Sequence, residues 1–191
     1  RDAANSGSNE PPAKTTVIPY RDALTRLRIL DELPAWTPSH NPFTKVSLAA
    51  KHFMADPALA LRLMNYDADN IQTTSGFGKG AFDSPLIGRL FEALAVQSIQ
   101  TYAQANFTRM AHFRDVNGRH EIDMIIQRDD GKLLAIEVKL SATPDPLDSK
   151  HLKWLKSEIG DQLIDSVVIY AGKYAYRQND IAYVPLALLG P

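Results

Sequence analysis

"HEIDMIIQRDDGKLLAIEVKLSAT", residues 120–143, decides the fold. Two runs rich in Ile, Leu and Val flank Asp129-Asp130-Gly131. These three residues suit a hairpin loop, with Gly131 in the left-handed position that closes it. "HEIDMIIQ" (120–127) and "KLLAIEVKL" (132–140) therefore read as paired antiparallel strands. Under that register Arg128 pairs with Lys132, and counting back sets Asp123 opposite Glu137. Side chains alternate between the two faces of a strand. One face carries Ile122, Met124, Ile126, Leu134, Ile136 and Val138. The other carries Asp123, Gln127, Glu137 and Lys139, with Ile125 and Ala135 among them. A slip of one residue would bury the charges, so the pattern itself specifies the register.

Two facing carboxylates repel, because cross-strand Cβ atoms lie only about 4.5–5.5 Å apart. A divalent cation between Asp123 and Glu137 would relieve that repulsion. Mg²⁺ (or Mn²⁺) is held by one or two carboxylates, water and phosphate oxygens. The backbone carbonyl of Val138 offers a further ligand. Lys139, on the same face, is placed to orient or deprotonate an attacking water, or to stabilise negative charge in the transition state. This chemistry suits phosphodiester hydrolysis. The plainer reading is a wet sheet face on which Lys139 neutralises Glu137, a pair worth little. Leu133, Ala135 and Ile125 make the face only partly polar, which favours a half-covered site.

Outward from the hairpin, "FTRMAHFR" (107–114) reads as a third strand. "PLIGRLFEALAVQSIQTYAQA" (85–105) is a long helix whose apolar face is Leu86, Ile87, Leu90, Phe91 and Leu94. "LDSKHLKWLKSEIG" is a helix with Leu152, Leu155 and Ile159 inward. "DSVVIYAG" is a buried strand, and "IAYVPLALL" a final strand and turn. The order is α-β-β-β-α-β-(β), an α/β fold. Upstream, "TTVIPYRDALTRLRIL" looks helical, capped by Thr15 or Thr16, with Leu24, Leu27 and Leu30 at helical spacing. "DELPAWTPSHNPF" reads as irregular extended chain. "VSLAAKHFMADPALALRLM" holds a short strand and then a helix from Asp56-Pro57, where Asp caps and Pro takes the first position. Residues 1–14 read as linker, and the Gly-rich "TTSGFGKGAFDSP" (73–85) as a loop.

The 191 residues fit one domain or two small ones, and a net charge of −1 provides no bulk basic field for nucleic acid. The chain has no cysteine, which excludes disulfides, thiolate metal sites and cysteine nucleophiles and fits the cytoplasm. No apolar run reaches the roughly 20 residues of a spanning helix. The first Met is Met54 and the chain opens on "RDAANSGSNEPPAK", so a fragment of a longer protein is expected.

Asp123, Glu137 and Lys139 form an Asp-x13-Glu-x-Lys spacing on a hairpin that follows a helix and a strand. The trio resembles the PD-(D/E)XK (restriction-endonuclease-like) nuclease superfamily, with Ile122 in place of the Pro of "PD". That resemblance implies an α-β-β-β-α-β core. It also implies a metal-supporting role for Glu92, in "RLFEALAV", where many members keep a helical Glu; taken alone, Glu92 reads as a solvent-facing helix residue. "TTVIPYRDALTRLRILDELPAW", "KHFMADPALALRLM", "GRLFEALAVQSI" and "FRDVNGRHEIDMIIQRDDGKLLAIEVKLSAT" run, in that order, like the C-terminal domain of unknown function of predicted bacterial and archaeal AAA+-type ATPases. This closer resemblance implies a partial winged-helix-like segment over 15–75, a nuclease-like domain over 76–191, and an ATPase module ahead of both. "GFGKGAF" lacks the spacing of a phosphate-binding loop, so ATP is expected only in that other module.

The resemblance implies Mg-dependent hydrolysis of DNA; the alternative is a non-catalytic domain that binds nucleic acid or protein and regulates the attached ATPase. Lys150, Lys153 and Lys156 recur every third residue and could meet phosphates, or simply face water. Arg21, Arg26 and Arg28 invite the same two readings. His112, His120 and His151 lack ligand-like spacing and read as structural or exposed. Trp36 and Trp154 read as packing residues.

Overall fold

The structure, a computed structural model, describes residues 13–38, 49–66, 85–115 and 117–190. The Gly-rich loop expected at 73–85 falls outside the described residues up to position 84, as do residues 1–12 of the expected linker.

A six-stranded mixed sheet lies between two helices. The strands are β3 (Arg109–Arg114), β4 (Glu121–Gln127), β5 (Leu133–Lys139), β6 (Leu163–Tyr170), β7 (Tyr176–Gln178) and β8 (Ile181–Pro185), in the order β3-β4-β5-β6-β8-β7. β3, β4 and β5 form an antiparallel meander, whereas β6 runs parallel to β5 and β8 parallel to β6. The parallel β5–β6 pair needs a crossover, and α4 (Lys150–Ile159) supplies it. A 3₁₀ turn, Pro146–Ser149, leads into α4; its Asp145 and Asp148 cap each other's backbone N–H groups. Leu152 and Leu155 are buried and Ile159 packs against the same core, as their spacing implied.

The hairpin follows its turn chemistry. Arg128 N–H donates to the Lys132 carbonyl, and Gly131 has φ +80°. Met124 pairs with Ile136, and Gln127 with Leu133, in the register expected. β5 lies between β4 and β6, and its side chains are covered on both faces: Leu133 and Ala135 pack with Leu152 and Leu155, Ile136 and Val138 with Val96 and Ile99. One departure matters. Between the pairs Ala111–Ile125 and Phe113–Ile122, β3 advances two residues and β4 advances three. The extra residue is a bulge in β4 at the stretch that carries Asp123. It breaks strict alternation: Ile122 packs with Ile125, Leu133 and Ala135, not with Met124 and Ile136 as expected.

α3 (Pro85–Ala105) covers one face through Ala95, Val96 and Ile99, against Met124, Ile136 and Val138. The expected stripe was Leu86, Ile87, Leu90, Phe91 and Leu94. Of these, Phe91 packs on the core, Leu86, Ile87 and Leu90 are half-buried and Leu94 is 43% exposed, while the fully buried positions are Ala93, Ala95, Val96, Ile99 and Ala103. Small side chains let the helix lie close to the sheet, so alanines displace leucines from the contact. α4 covers the opposite face with Leu152 and Leu155, beside Trp36, Phe113 and Val168.

The first helix, α1, is Lys14–Arg26 with Ala13 at its cap position, so Thr15 and Thr16 lie in its first turn and do not cap it. The helix ends where Arg28 turns left-handed at φ 57°, and Leu30 belongs to a strand. That strand, β1 (Leu30–Leu33), pairs antiparallel with β2 (Lys51–Met54), with Leu33 opposite Lys51. The chain expected to be irregular thus begins as a strand, and Ala35 then bridges to His112 of β3. α2 (Pro57–Leu63) starts as read: Asp56 accepts from the Ala58 N–H at 2.8 Å, with Pro57 in the first turn. Leu33 and Trp36 belong to the two cores of the large sheet. β7 was not anticipated. It pairs with β8 across Asn179-Asp180, both at positive φ (49° and 61°), a primed two-residue turn. Among the described residues no helix is long and apolar enough to cross a membrane.

Candidate functional site

Four elements bring charge to one end of the β4–β5 hairpin. β4 contributes Glu121 and Asp123, β5 contributes Glu137 and Lys139, α3 contributes Glu92, and β2 contributes Lys51. Lys51 stands at the centre. Its Nζ lies 2.9 Å from Glu121 Oε1, 3.1 Å from Glu92 Oε1 and 3.3 Å from Asp123 Oδ1. Burial works against its charge, but Asp123, Glu92 and Glu121 outweigh that and hold it well above the ordinary lysine value. The same ammonium draws the Glu121 carboxyl below its usual range despite partial burial. Glu92 moves the other way, raised by burial and by the charge of Asp123.

Asp123 sits on the bulge and points both ways: Oδ1 meets Lys51, and Oδ2 accepts the Val138 N–H at 2.9 Å. Val138, expected to offer its carbonyl, thus meets Asp123 through its amide. Glu137 is 3% exposed because its strand is central to the sheet. Its Oε2 lies 3.3 Å from Lys139 Nζ; its Oε1 is buried and has no hydrogen-bond partner among the described residues. Burial, then the adjacent Asp123 charge, push its carboxyl up to about 8. Lys139 is also desolvated, yet Glu137 and Asp123 raise it above the ordinary lysine value. It is therefore an ammonium, suited to stabilise negative charge and not to deprotonate water. At 34% exposure it can still reach a ligand.

Glu92, Asp123, Glu137 and Lys139 are thus brought together, and Lys51 and Glu121 complete the network. Sequence reasoning missed both. Glu121 had a signal, since it lies two residues before Asp123 on one strand. Lys51 had none, being 72 residues from Asp123. Among the described residues, no three His, Asp or Glu side chains converge as a ready metal cage. A cation would still suit one edge of the network, because the Glu137 carboxyl feels the charge of Asp123 and one of its oxygens has no partner among the described residues.

Lys150, Lys153 and Lys156 stand apart on the exposed side of α4. Lys153 and Lys156 line a hollow of about 440 Å³ with Asp165 and Arg177. There Arg177 grips Asp165 through two contacts of 2.8 Å, and Lys156 donates to the Gly160 and Leu163 carbonyls. Arg21 contacts Asp22 and Glu32 at the edge of α1. The histidines are structural or peripheral. His112 is buried with Nε2 3.2 Å from the Ala49 carbonyl, and His120 stacks on Trp154 at 3.9 Å beside His151. Trp36 and Trp154 pack on Phe113.

The fold and the network define a mixed α/β domain with a lysine-bridged carboxylate site at the end of a hairpin. The chain belongs to the family described as "Domain of unknown function (DUF4143)", whose model matches residues 87–189. That span holds Glu92, Glu121, Asp123, Glu137 and Lys139. No curated protein and no solved structure matches the chain.

Proposed function

We propose that this domain is a nuclease-like module of PD-(D/E)XK type that hydrolyses phosphodiesters of DNA with Mg²⁺ (or Mn²⁺). The observation that carries the reading is the convergence of Asp123, Glu137 and Lys139, with one Glu137 oxygen buried and unpartnered among the described residues. The meander β3–β4–β5, followed by a crossover helix and a parallel β6, supports the same topology. Asp123 and Glu137 would hold the ion, with Glu92 behind Asp123. When bound, the ion supplies charge neutralisation and lowers the pKa of water. Lys139 donates to a phosphate oxygen as negative charge develops there. The Val138 N–H fixes the Asp123 carboxylate, so the acid does not rotate away from the reacting phosphate. The setting we infer is the cytoplasm, next to an AAA+-type ATPase module, behind a winged-helix-like segment.

A second reading rests on Lys51 and Lys139. Both already neutralise the carboxylates, as in a non-catalytic domain that binds nucleic acid or protein and regulates that ATPase. Plasmid nicking separates the two. Mg²⁺-dependent nicking by this chain, lost in a folded Asp123→Ala variant, establishes the nuclease reading. Nicking by neither protein favours the interaction domain.

A further inference from the structure

Three carboxylates, those of Glu92, Glu121 and Asp123, surround the Lys51 ammonium at 2.9–3.3 Å. An ion that took Asp123 Oδ1 would meet the Lys51 ammonium 3.3 Å away, and the other oxygen, Oδ2, already accepts the Val138 N–H. Lys51 comes from β2, on a separate two-stranded sheet, so it can leave without breaking the β4–β5 ladder. Its side chain is 22% exposed and also lines a hollow of about 520 Å³ beside His112 and Arg114, so a path outward exists. A second, independent sign points to a cation here. Glu137, whose carboxyl feels the Asp123 charge, has its Oε1 buried with no hydrogen-bond partner among the described residues. Glu92, Glu121 and Asp123 share the single charge of Lys51, and Glu137 is left half-satisfied.

We infer that Lys51 is a tethered cation that competes with the divalent ion for Asp123 and Glu92, so that the site accepts metal only when Lys51 swings out. The inference rests on the metal reading proposed above. If the lysine-out state is populated about one-tenth of the time, the apparent metal affinity falls about tenfold. Removing the ammonium therefore tightens metal binding, although it also deletes three ion pairs.

Mn²⁺ binding is measured by calorimetry or by the free-ion paramagnetic resonance signal, on this chain and on Lys51→Met. The expected result is binding on the order of tenfold tighter, or stronger still, in the variant. Equal or weaker binding by the variant, with this chain binding Mn²⁺, overturns the role of Lys51 and leaves the metal reading standing. Binding by neither protein overturns both. Should Lys51→Met fail to fold, amine labelling of the unaltered chain decides. Mn²⁺ is expected to speed acetylation of Lys51, read by peptide mass spectrometry, while leaving exposed Lys173 unchanged. Slower or unaltered labelling of Lys51 under saturating Mn²⁺ refutes the displacement.

Discussion

Replacing Glu137 by Gln tests the electrostatics of the site without touching its shape. Glu137 is buried on the central strand, beside Asp123, and its carboxyl is pushed from 4.5 up to about 8. Above pH 4.5 the unfolded chain gives up this proton while the native chain keeps it. The native state then binds more protons, so stability falls as pH rises, and the loss is complete once pH passes about 8. The interval from 4.5 to about 8 corresponds to a loss on the order of 5 kcal/mol for this buried group. Gln carries no proton to lose and keeps the packing. In metal-free buffer, Glu137→Gln is expected to match the parent at pH 5 within about 1 kcal/mol. At pH 8.5 it is expected to be more stable by several kcal/mol. Urea midpoints at the two pH values provide the measurement. Parallel stability–pH curves for the two proteins, or a variant weaker at both pH values, would refute the buried, strained carboxylate.

Two further outcomes follow from packing and backbone. Leu152→Ala removes a fully buried side chain from the α4 face and is expected to lower stability by about 2–5 kcal/mol, read from the urea midpoint. Gly131→Ala places a Cβ in open space at φ +80°, so only backbone strain of about 1–2 kcal/mol is expected; a much larger loss in thermal melting would mean that the turn is held by more than Gly131.

Much of this fold is written locally. The hairpin register was legible because turn chemistry and two-residue periodicity act over a few neighbours. It brought Asp123 toward Glu137 without any knowledge of the rest. The bulge was not legible, because it arises from how β3 pairs against β4, and Ile122 is apolar on either face. β7 escaped because its three residues, Tyr-Arg-Gln, are all exposed and carry no alternation. The buried face of α3 was read only in part: Phe91 packs on the core, but close approach to the sheet selects alanines, which signal burial less loudly than the exposed Leu94. The site itself was half legible: Asp123, Glu137 and Lys139 lie within one hairpin. Lys51 belongs to a different sheet, and only the folded chain brings its ammonium to Asp123.

The central claim is that Asp123 and Glu137 share a divalent ion. Anomalous diffraction from crystals soaked in millimolar Mn²⁺ tests it most directly. The account predicts a peak within coordination distance of an oxygen of Asp123 and an oxygen of Glu137, with Lys51 displaced. A map without a peak there, and with Lys51 still seated among Glu92, Glu121 and Asp123, would contradict it.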